Sequence, residues 1–364
     1  MRIKEIKTNY YKIPLPRVLS DATHGEIPYF ELITVKVFSD SGEEGMGYTY
    51  TVGRGGGAIH KLIESDLAPL IINLDPRCTE KIWRKMWNGI HWVGRNGMAL
   101  FGISAIDIAL WDLKARNANE PLWRFLGGNN PEVNVYPGGV DLDFTIKELC
   151  KQTIKNLELG YRAIKIKVGR EKLSEDVERV KTVRKLIGPN IRLMIDANMG
   201  WTVDEAIRAS QVLSAYDIYW LEEPTIPEDI DGFKQIFMKG RIPIATGENL
   251  HSLYEFKQTI FSNNVLFPEV DVSNVGGITT WMKVAHLAEV NNLKVTTHGV
   301  HDLHIHLLGA IPNASYLEVH SFQLEQFIEH PMEIKDGVTM APNLPGHGIN
   351  LNWEKLKKYQ KNQE

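Results

Sequence analysis

Ala163-Ile164-Lys165-Ile166-Lys167 opens a series of short apolar runs, each ending on a titratable side chain. Leu193-Met194-Ile195-Asp196, Tyr219-Trp220-Leu221-Glu222, Ile244-Ala245-Thr246-Gly247-Glu248, Val270-Asp271, Val295-Thr296-Thr297-His298 and Tyr316-Leu317-Glu318 follow. From Lys167 the successive gaps are 29, 26, 26, 23, 27 and 20 residues. A strand, a helix and two short connections together take roughly 25 to 30 residues, so each gap is about one βα unit. The spacing therefore predicts an α/β fold with one titratable residue near the C-terminal end of each of seven strands. In a parallel barrel those ends converge on one face, and the series predicts a single pocket.

Outward from this series, the N-terminal region reads as antiparallel strands. Ile3 to Pro14 is the first, and Phe30-Glu31-Leu32-Ile33-Thr34-Val35-Lys36-Val37 alternates with period two. Ser39 to Glu43 is a hairpin turn, and Gly45 to Tyr50 is the returning strand. The polar loop Ser20-Asp21-Ala22-Thr23-His24-Gly25 is a candidate flap. Gly53-Arg54-Gly55-Gly56-Gly57 lacks the ending of a phosphate loop. It is read instead as a flexible loop at the mouth of the site, with Arg54 available to a carboxylate. Ala58 to Leu126 is predominantly helical, with an apolar stripe of Ile103, Ile106, Leu110 and Leu113 around Asp107 and Asp112. Trp83, Trp87, Trp92 and Trp111 are expected in an interdomain core. The barrel begins near Val133 to Tyr136, and its helix Ser174 to Leu186 is expected to use Ser174 as N-cap. Beyond Glu318, Gly346-His347-Gly348-Ile349 and the lysine-rich end read as a return to the first domain with a frayed tail.

Composition narrows the function. The 364 residues suffice for a barrel of about 200 to 250 residues plus a smaller domain. A net charge of -4 provides no field for nucleic acid or an anionic membrane. No apolar run approaches the roughly 18 residues a membrane span needs, and the N-terminus lacks a signal-peptide core. Two cysteines, Cys78 and Cys150, make no disulfide framework. A cytoplasmic protein with a small-molecule partner is expected.

Asp196, Glu222 and Glu248 would repel one another in a shared pocket without a cation, so they predict a metal. All-oxygen ligation selects a hard ion, Mg2+. Lys165 and Lys167, two apart on a strand, face the same side. Beside a cation each would lower the other's pKa, leaving one as a base near neutral pH. Asp271 would fix the tautomer of His298, a second proton carrier. Glu318, protonated or sharing a proton, would donate a hydrogen bond to developing negative charge. Together these groups suggest abstraction of a proton next to a carboxylate, by Lys167 or His298, with the metal stabilising the enediolate.

At this point the whole chain resembles the mandelate racemase subgroup of the enolase superfamily. The motifs are Lys165-Ile166-Lys167, Asp196-Ala197-Asn198, Glu222-Glu223-Pro224, Gly247-Glu248-Asn249, the Asp271/His298 pair and Glu318. One departure is Glu269-Val270-Asp271, where many relatives have Gln-Pro-Asp. The resemblance implies a modified (β/α)7β TIM barrel over residues 128–322, capped by an α+β domain over residues 1–127. Residues 323–364 would return to that cap. It also implies one Mg2+ per subunit on Asp196, Glu222 and Glu248, with Lys167 as one base modulated by Lys165. His298 with Asp271 would act from the opposite face, and Glu318 would be the acid partner of the enediolate. A homo-oligomer, dimer or octamer, is implied in the same way.

Several runs are similar to enzymes that open 3,6-anhydro-L-galactonate, among them Gly47 to Thr51, Val93-Gly94-Arg95 and Leu317 to Phe322. Galactarate and talarate dehydratases share Gly94-Arg95 and the Ser104 to Lys114 helix. Both chemistries are β-eliminations of the C3 oxygen that yield a 2-keto-3-deoxy acid. The expected enzyme is thus a lyase or isomerase acting on a sugar acid, with racemisation or epimerisation of a 2-hydroxy acid as the alternative. His24, Tyr50, Arg54 and Asn198 are the expected substrate-binding residues, their polarity suiting a polyhydroxylated substrate. A zinc site on His298, His301, His304 and His306 is the rival metal reading; a scaffold that has lost catalysis is the rival without chemistry.

Overall fold

The protein is described here from a computed structural model covering residues 1–128 and 130–361. Strands β1 (Ile3–Asp21), β2 (Gly25–Ser39) and β3 (Glu44–Thr51) form an antiparallel sheet in that order. β2 is buried on both faces. Ile33, Val35 and Val37 pack with cap helices, whereas Phe30 and Leu32 join the core shared with the barrel. The expected loop from Ser20 to Gly25 shrinks to a turn at Ala22–His24, because β1 and β2 stay paired out to Asp21 and Gly25.

The helix Met98–Asn117 differs from the expected single stripe. It is buried nearly all round, Asp107 and Asp112 included. The cause is its position, with β3 on one side and the barrel helix Gly277–Val290 on the other. Glycine is required where β3 crosses it: a Cβ at Gly45 would lie 2.1 Å from the Ala109 carbonyl oxygen, and one at Gly47 2.2 Å from that of Ala105. Asp112 accepts the N–H groups of Met46 and His347 at 2.9 and 3.0 Å, tying sheet and C-terminal segment to this helix.

Strands β4 (Glu132–Gly138), β5 (Ala163–Lys167), β6 (Arg192–Asp196), β7 (Ile218–Glu222), β8 (Ile244–Thr246), β9 (Phe267–Pro268) and β10 (Tyr316–His320) form the barrel. β5 to β9 are parallel neighbours in sequence order. Single parallel bridges, Glu269 to Thr296 and Val295 to Ala314, carry the ring through the segment around Val295. β10 pairs in parallel with β4, and β4 packs beside β5, which closes the ring. A short β11 (Val338–Met340) pairs antiparallel with β4.

Alternation along the strands sorts the interior by height. Tyr136, Ala163, Met194, Trp220 and Ala245 fill the lower barrel, and two residues further along β5, β6 and β7 stand Lys165, Asp196 and Glu222. Register places Lys167 beside Asp196, and Asp196 beside Glu222. Ile164 and Ile166 face outward into the main core with helix residues such as Val180 and Val183.

Of the tryptophans, Trp83 donates to the Gly276 carbonyl at 2.7 Å and Trp111 to the Thr279 hydroxyl at 2.9 Å, joining cap to barrel. Trp92 instead is exposed. Ser174 lies inside the helix Leu173–Ile187 and caps nothing; Lys172 is the N-cap residue, without a side-chain bond. The C-terminal segment returns to the cap, where His347 Nε2 donates to the Met46 carbonyl at 2.7 Å and Gln360 bridges to Tyr11. The end of the expected frayed tail, residues 362–364, lies outside the described residues. Among the described residues no helix is long and apolar enough to cross a membrane.

Candidate active site

The titratable series converges as the spacing requires. Lys167, Asp196 and Glu222 are the last residues of β5, β6 and β7, Glu248 follows β8, Asp271 follows β9, and Glu318 sits within β10. Lys165 Nζ lies 2.5 Å from Glu222 Oε1, 2.9 Å from Glu318 Oε1 and 3.4 Å from Asp196 Oδ2. Lys167 Nζ donates to Asp196 Oδ2. At the other end of the carboxylate row, His298 Nε2 is 3.5 Å from Glu248 Oε2. Its Nδ1 is 3.1 Å from Asp271 Oδ2 and 3.2 Å from the Tyr50 hydroxyl. Asp271 is held in turn by the Ser273 N–H and hydroxyl, both at 2.7 Å on Oδ1.

The protein groups by themselves draw both lysines toward their charged forms. Burial works against the Lys167 ammonium, but the Asp196 carboxylate outweighs it and pushes its pKa up; Lys165 is raised in the same way, by Glu222 and Glu318. Two ammonium groups side by side do depress each other, yet here each has its own carboxylate partner. The same surroundings draw Glu318 toward its charged form. Burial favours its neutral form, but Lys165 and His298 hold its pKa well below the usual range, and its Oε2 accepts the Gly299 N–H at 2.9 Å. Burial opposes the charged imidazole of His298, and Glu248 and Asp271 overcome it, raising the pKa to about 10.

The carboxylates themselves fit a hard cation. Asp196, Glu222 and Glu248 are buried, with ligand oxygens within 4.8 Å of one another. Burial and the neighbouring Asp196 drive Glu222 up to about 8, and Glu248 Oε2 is buried without a hydrogen bond. With Glu318, four carboxylates face only two ammonium groups and the His298 imidazole, an excess of negative charge that a divalent ion would offset.

Above the row opens a cavity of about 480 Å3, in the size range of small-molecule sites. All four expected substrate residues, His24, Tyr50, Arg54 and Asn198, line it. Asn198 adopts φ 41°, accepts the Thr23 hydroxyl on its carbonyl, and leaves its side-chain oxygen buried and unpartnered. Tyr50 has its hydroxyl on the Asp271/His298 pair. The four-histidine zinc cluster does not assemble. His304 accepts the Val272 N–H at 2.8 Å and His306 pairs with the His347 carbonyl at 2.9 Å, while His301 accepts the His320 N–H at 3.3 Å.

Sequence reasoning missed three groups. Asp141 accepts the Lys167 N–H at 3.0 Å and is paired with Arg179 at 3.0 Å, fixing the end of β5. It precedes Lys167 by 26 residues, so the spacing already contained it as one further member. His320 lines the cavity and stands two residues after Glu318 on β10, edge-on to His298 at 5.2 Å. Glu269 is buried beneath the row, with one oxygen accepting the Tyr136 hydroxyl at 3.2 Å and the other unpartnered.

Comparison with known proteins agrees with this geometry. Residues 5–127 match the mandelate racemase/muconate lactonizing enzyme N-terminal domain, and residues 147–355 match the enolase C-terminal domain-like family. The chain is 48% identical to the 3,6-anhydro-alpha-L-galactonate cycloisomerase of Streptomyces coelicolor, covering 97% of this chain and 98% of that one. It is 35% identical to the L-talarate/galactarate dehydratase of Salmonella typhimurium, covering 96% and 89% respectively. A solved racemase from Streptomyces coelicolor A3(2) with bound magnesium superposes with a TM-score of 0.97 at 47% identity, over 99% of this chain and 100% of that one. The chain therefore belongs to the mandelate racemase/muconate lactonizing enzyme family of the enolase superfamily.

Proposed function

We propose that this enzyme uses Mg2+ to remove the proton α to a sugar-acid carboxylate and then expels the oxygen on C3, yielding a 2-keto-3-deoxy acid. The observation that carries it is the row itself: three buried carboxylates with an ammonium at one end and a carboxylate-backed imidazole at the other. Asp196, Glu222 and Glu248 would hold the ion, which supplies Lewis-acid polarisation of the substrate carboxylate. Its charge also offsets the attraction that keeps Lys167 protonated, returning that amine toward the range of a usable base. Lys167 Nζ and His298 Nε2 stand at opposite ends of the row, so the configuration at C2 decides which takes the proton. Lys165 donates toward the oxygens on which charge develops, Glu318 orients Lys165, and Asp271 with Tyr50 orients His298.

An identity of 48% along nearly the whole chain to a 3,6-anhydro-alpha-L-galactonate cycloisomerase supports the ring ether of an anhydro sugar acid as the leaving group. The cavity suits such a compact, polar substrate: His24, Asn198 and Arg54 supply polar groups, while Ile27, Met98, Phe101 and Phe322 limit its size. A proton carrier at each end of the row would also suit racemisation of a 2-hydroxy acid. The test is incubation with Mg2+ and a panel of 3,6-anhydro-L-galactonate, galactarate, talarate and simple aldonates, with assay for 2-keto-3-deoxy products. Product from the anhydro acid is expected. Product from open-chain acids alone makes the enzyme a dehydratase, and C2-proton exchange without elimination makes it a racemase. A further part of the proposal is a cytoplasmic homo-oligomer, dimer or octamer, to be checked by light scattering.

A further inference from the structure

The β1–β2 hairpin brings a second imidazole–carboxylate pair to the cavity, separate from His298 and Asp271. At its turn, Asp21 Oδ1 accepts the N–H groups of Thr23 and His24 at 2.9 and 2.6 Å, and Oδ2 lies 2.8 Å from His24 Nδ1. The carboxylate is buried, while the imidazole side chain keeps 36% of its surface open to solvent. His24 Nε2 has no protein partner among the described residues. The turn is seated on the barrel rather than free. The Thr23 hydroxyl donates to the Asn198 carbonyl, and the Ala22 methyl lies so close to the loops after β5 and β6 that a Cβ at Gly200 would fall 2.8 Å from it. Asp21 and His24 line the same cavity as Lys167, Asn198, Glu248 and His298.

We propose that His24, held by Asp21, is the general acid that protonates the C3 oxygen as it leaves. This rests on the elimination proposed above. With the substrate carboxylate over Asp196, Glu222 and Glu248, C2 lies between Lys167 and His298, and C3 extends toward the cap beneath the hairpin turn. The electron pair of the broken C2–H bond is first delocalised into the substrate carboxylate as an enediolate, and it then returns to form the C2=C3 bond. The C3–O bond breaks with its pair going to oxygen, which takes the proton from His24 Nε2. The resulting enol becomes the ketone when its hydroxyl proton returns to His24 and C3 is protonated by Lys167 or His298. For a ring ether the product is an isomer bearing a new hydroxyl; for a free hydroxyl it is the keto acid plus water. The groups facing His24 favour its cationic form: the Asp21 bond raises its pKa, burial lowers it less, the Glu248 carboxylate adds to the rise and the Lys167 ammonium subtracts from it.

The experiment follows C2-proton exchange in deuterated water and elimination in the same Mg2+-loaded samples of wild type, His24→Gln and Asp21→Asn. In His24→Gln, elimination is expected to fall by about 100-fold or more while exchange persists, because only the protonation of the leaving oxygen is lost. Asp21→Asn gives a smaller fall and moves the alkaline limb of kcat to lower pH. A substrate analogue with fluorine at C3, whose fluoride departs without a proton, should be eliminated by His24→Gln within about threefold of the wild-type rate. Equal loss of exchange and elimination, a rise in KM alone, or unchanged elimination would overturn the assignment. Absence of both exchange and product in the wild type would defeat the underlying elimination reading, and this assignment with it.

Discussion

Asp271 has one oxygen saturated by Ser273 and turns the other to His298 Nδ1, so its charge and its geometry act on the same imidazole. Asp271→Asn keeps the shape but can present an amide N–H to that nitrogen, which spoils the tautomer. Steady-state assays should show kcat reduced by about 100-fold or more, with the fold intact by circular dichroism. Glu269 answers to a different constraint. Burial, with Glu222 nearby, holds its pKa far above the usual carboxylate range, so Glu269→Gln replaces a neutral acid by a neutral amide. Its melting temperature should change little, whereas Glu269→Ala strands the Tyr136 hydroxyl and costs about 1–3 kcal/mol. The positions of Lys167, Asp196, Glu222, Glu248, Asp271, His298 and Glu318 were legible because each closes an apolar run at βα spacing, and Lys165 because it shares a strand face with Lys167. Their charge states were not, because these depend on distances between strands: the Lys165 contacts with Glu222 and Glu318 join residues on three separate strands.

The helix Met98–Asn117 supplies its neighbour with a cap. The barrel helix Gly277–Val290 begins after Gly276, which offers no side chain; Asp107 accepts the Thr279 N–H and hydroxyl at 2.8 and 2.7 Å in its place. Burial raises the Asp107 pKa to about 7. A carboxyl group raised on folding binds its proton more tightly in the folded state, so its contribution is fully present below about pH 4 and is lost as pH rises to about 7. Asp107→Asn should remove that slope, with urea denaturation at pH 4 and pH 8 showing a variant less sensitive to pH by up to about 4 kcal/mol. Gly45→Ala tests the other face of the same helix, and the clash with Ala109 should cost roughly 1–3 kcal/mol or more in the same measurement. The helix itself was legible from Ile103, Ile106, Leu110 and Leu113, but not its burial on every side. Asp107 and Asp112 look like a polar face until the partners that satisfy them, Thr279, Met46 and His347, arrive from elsewhere in the chain.

At the scale of the molecule, the barrel gathers residues from across its strands and the cap closes over them through Tyr50, Arg54 and the turn at Ala22–His24. This closure was legible only as polar loops of the right length, since the pairing that extends β1 and β2 to the barrel mouth is a tertiary choice. A divalent ion held by Asp196, Glu222 and Glu248, as proposed, would act on the whole fold by mass action. At Mg2+ concentrations about 100-fold above Kd, unfolding should be harder by about 2.7 kcal/mol, seen as a rise in Tm that chelation reverses. Glu222→Gln should abolish most of that rise. The central claim is that this site takes the C2 proton from a sugar acid, and NMR in deuterated water observes that proton directly. With 3,6-anhydro-L-galactonate and Mg2+, the C2 signal should vanish as a 2-keto-3-deoxy product grows, and both changes should be absent after chelation or in the Lys167→Ala/His298→Asn double variant. A folded, Mg2+-loaded wild-type enzyme that leaves the C2 proton in place on every sugar acid offered would contradict the account.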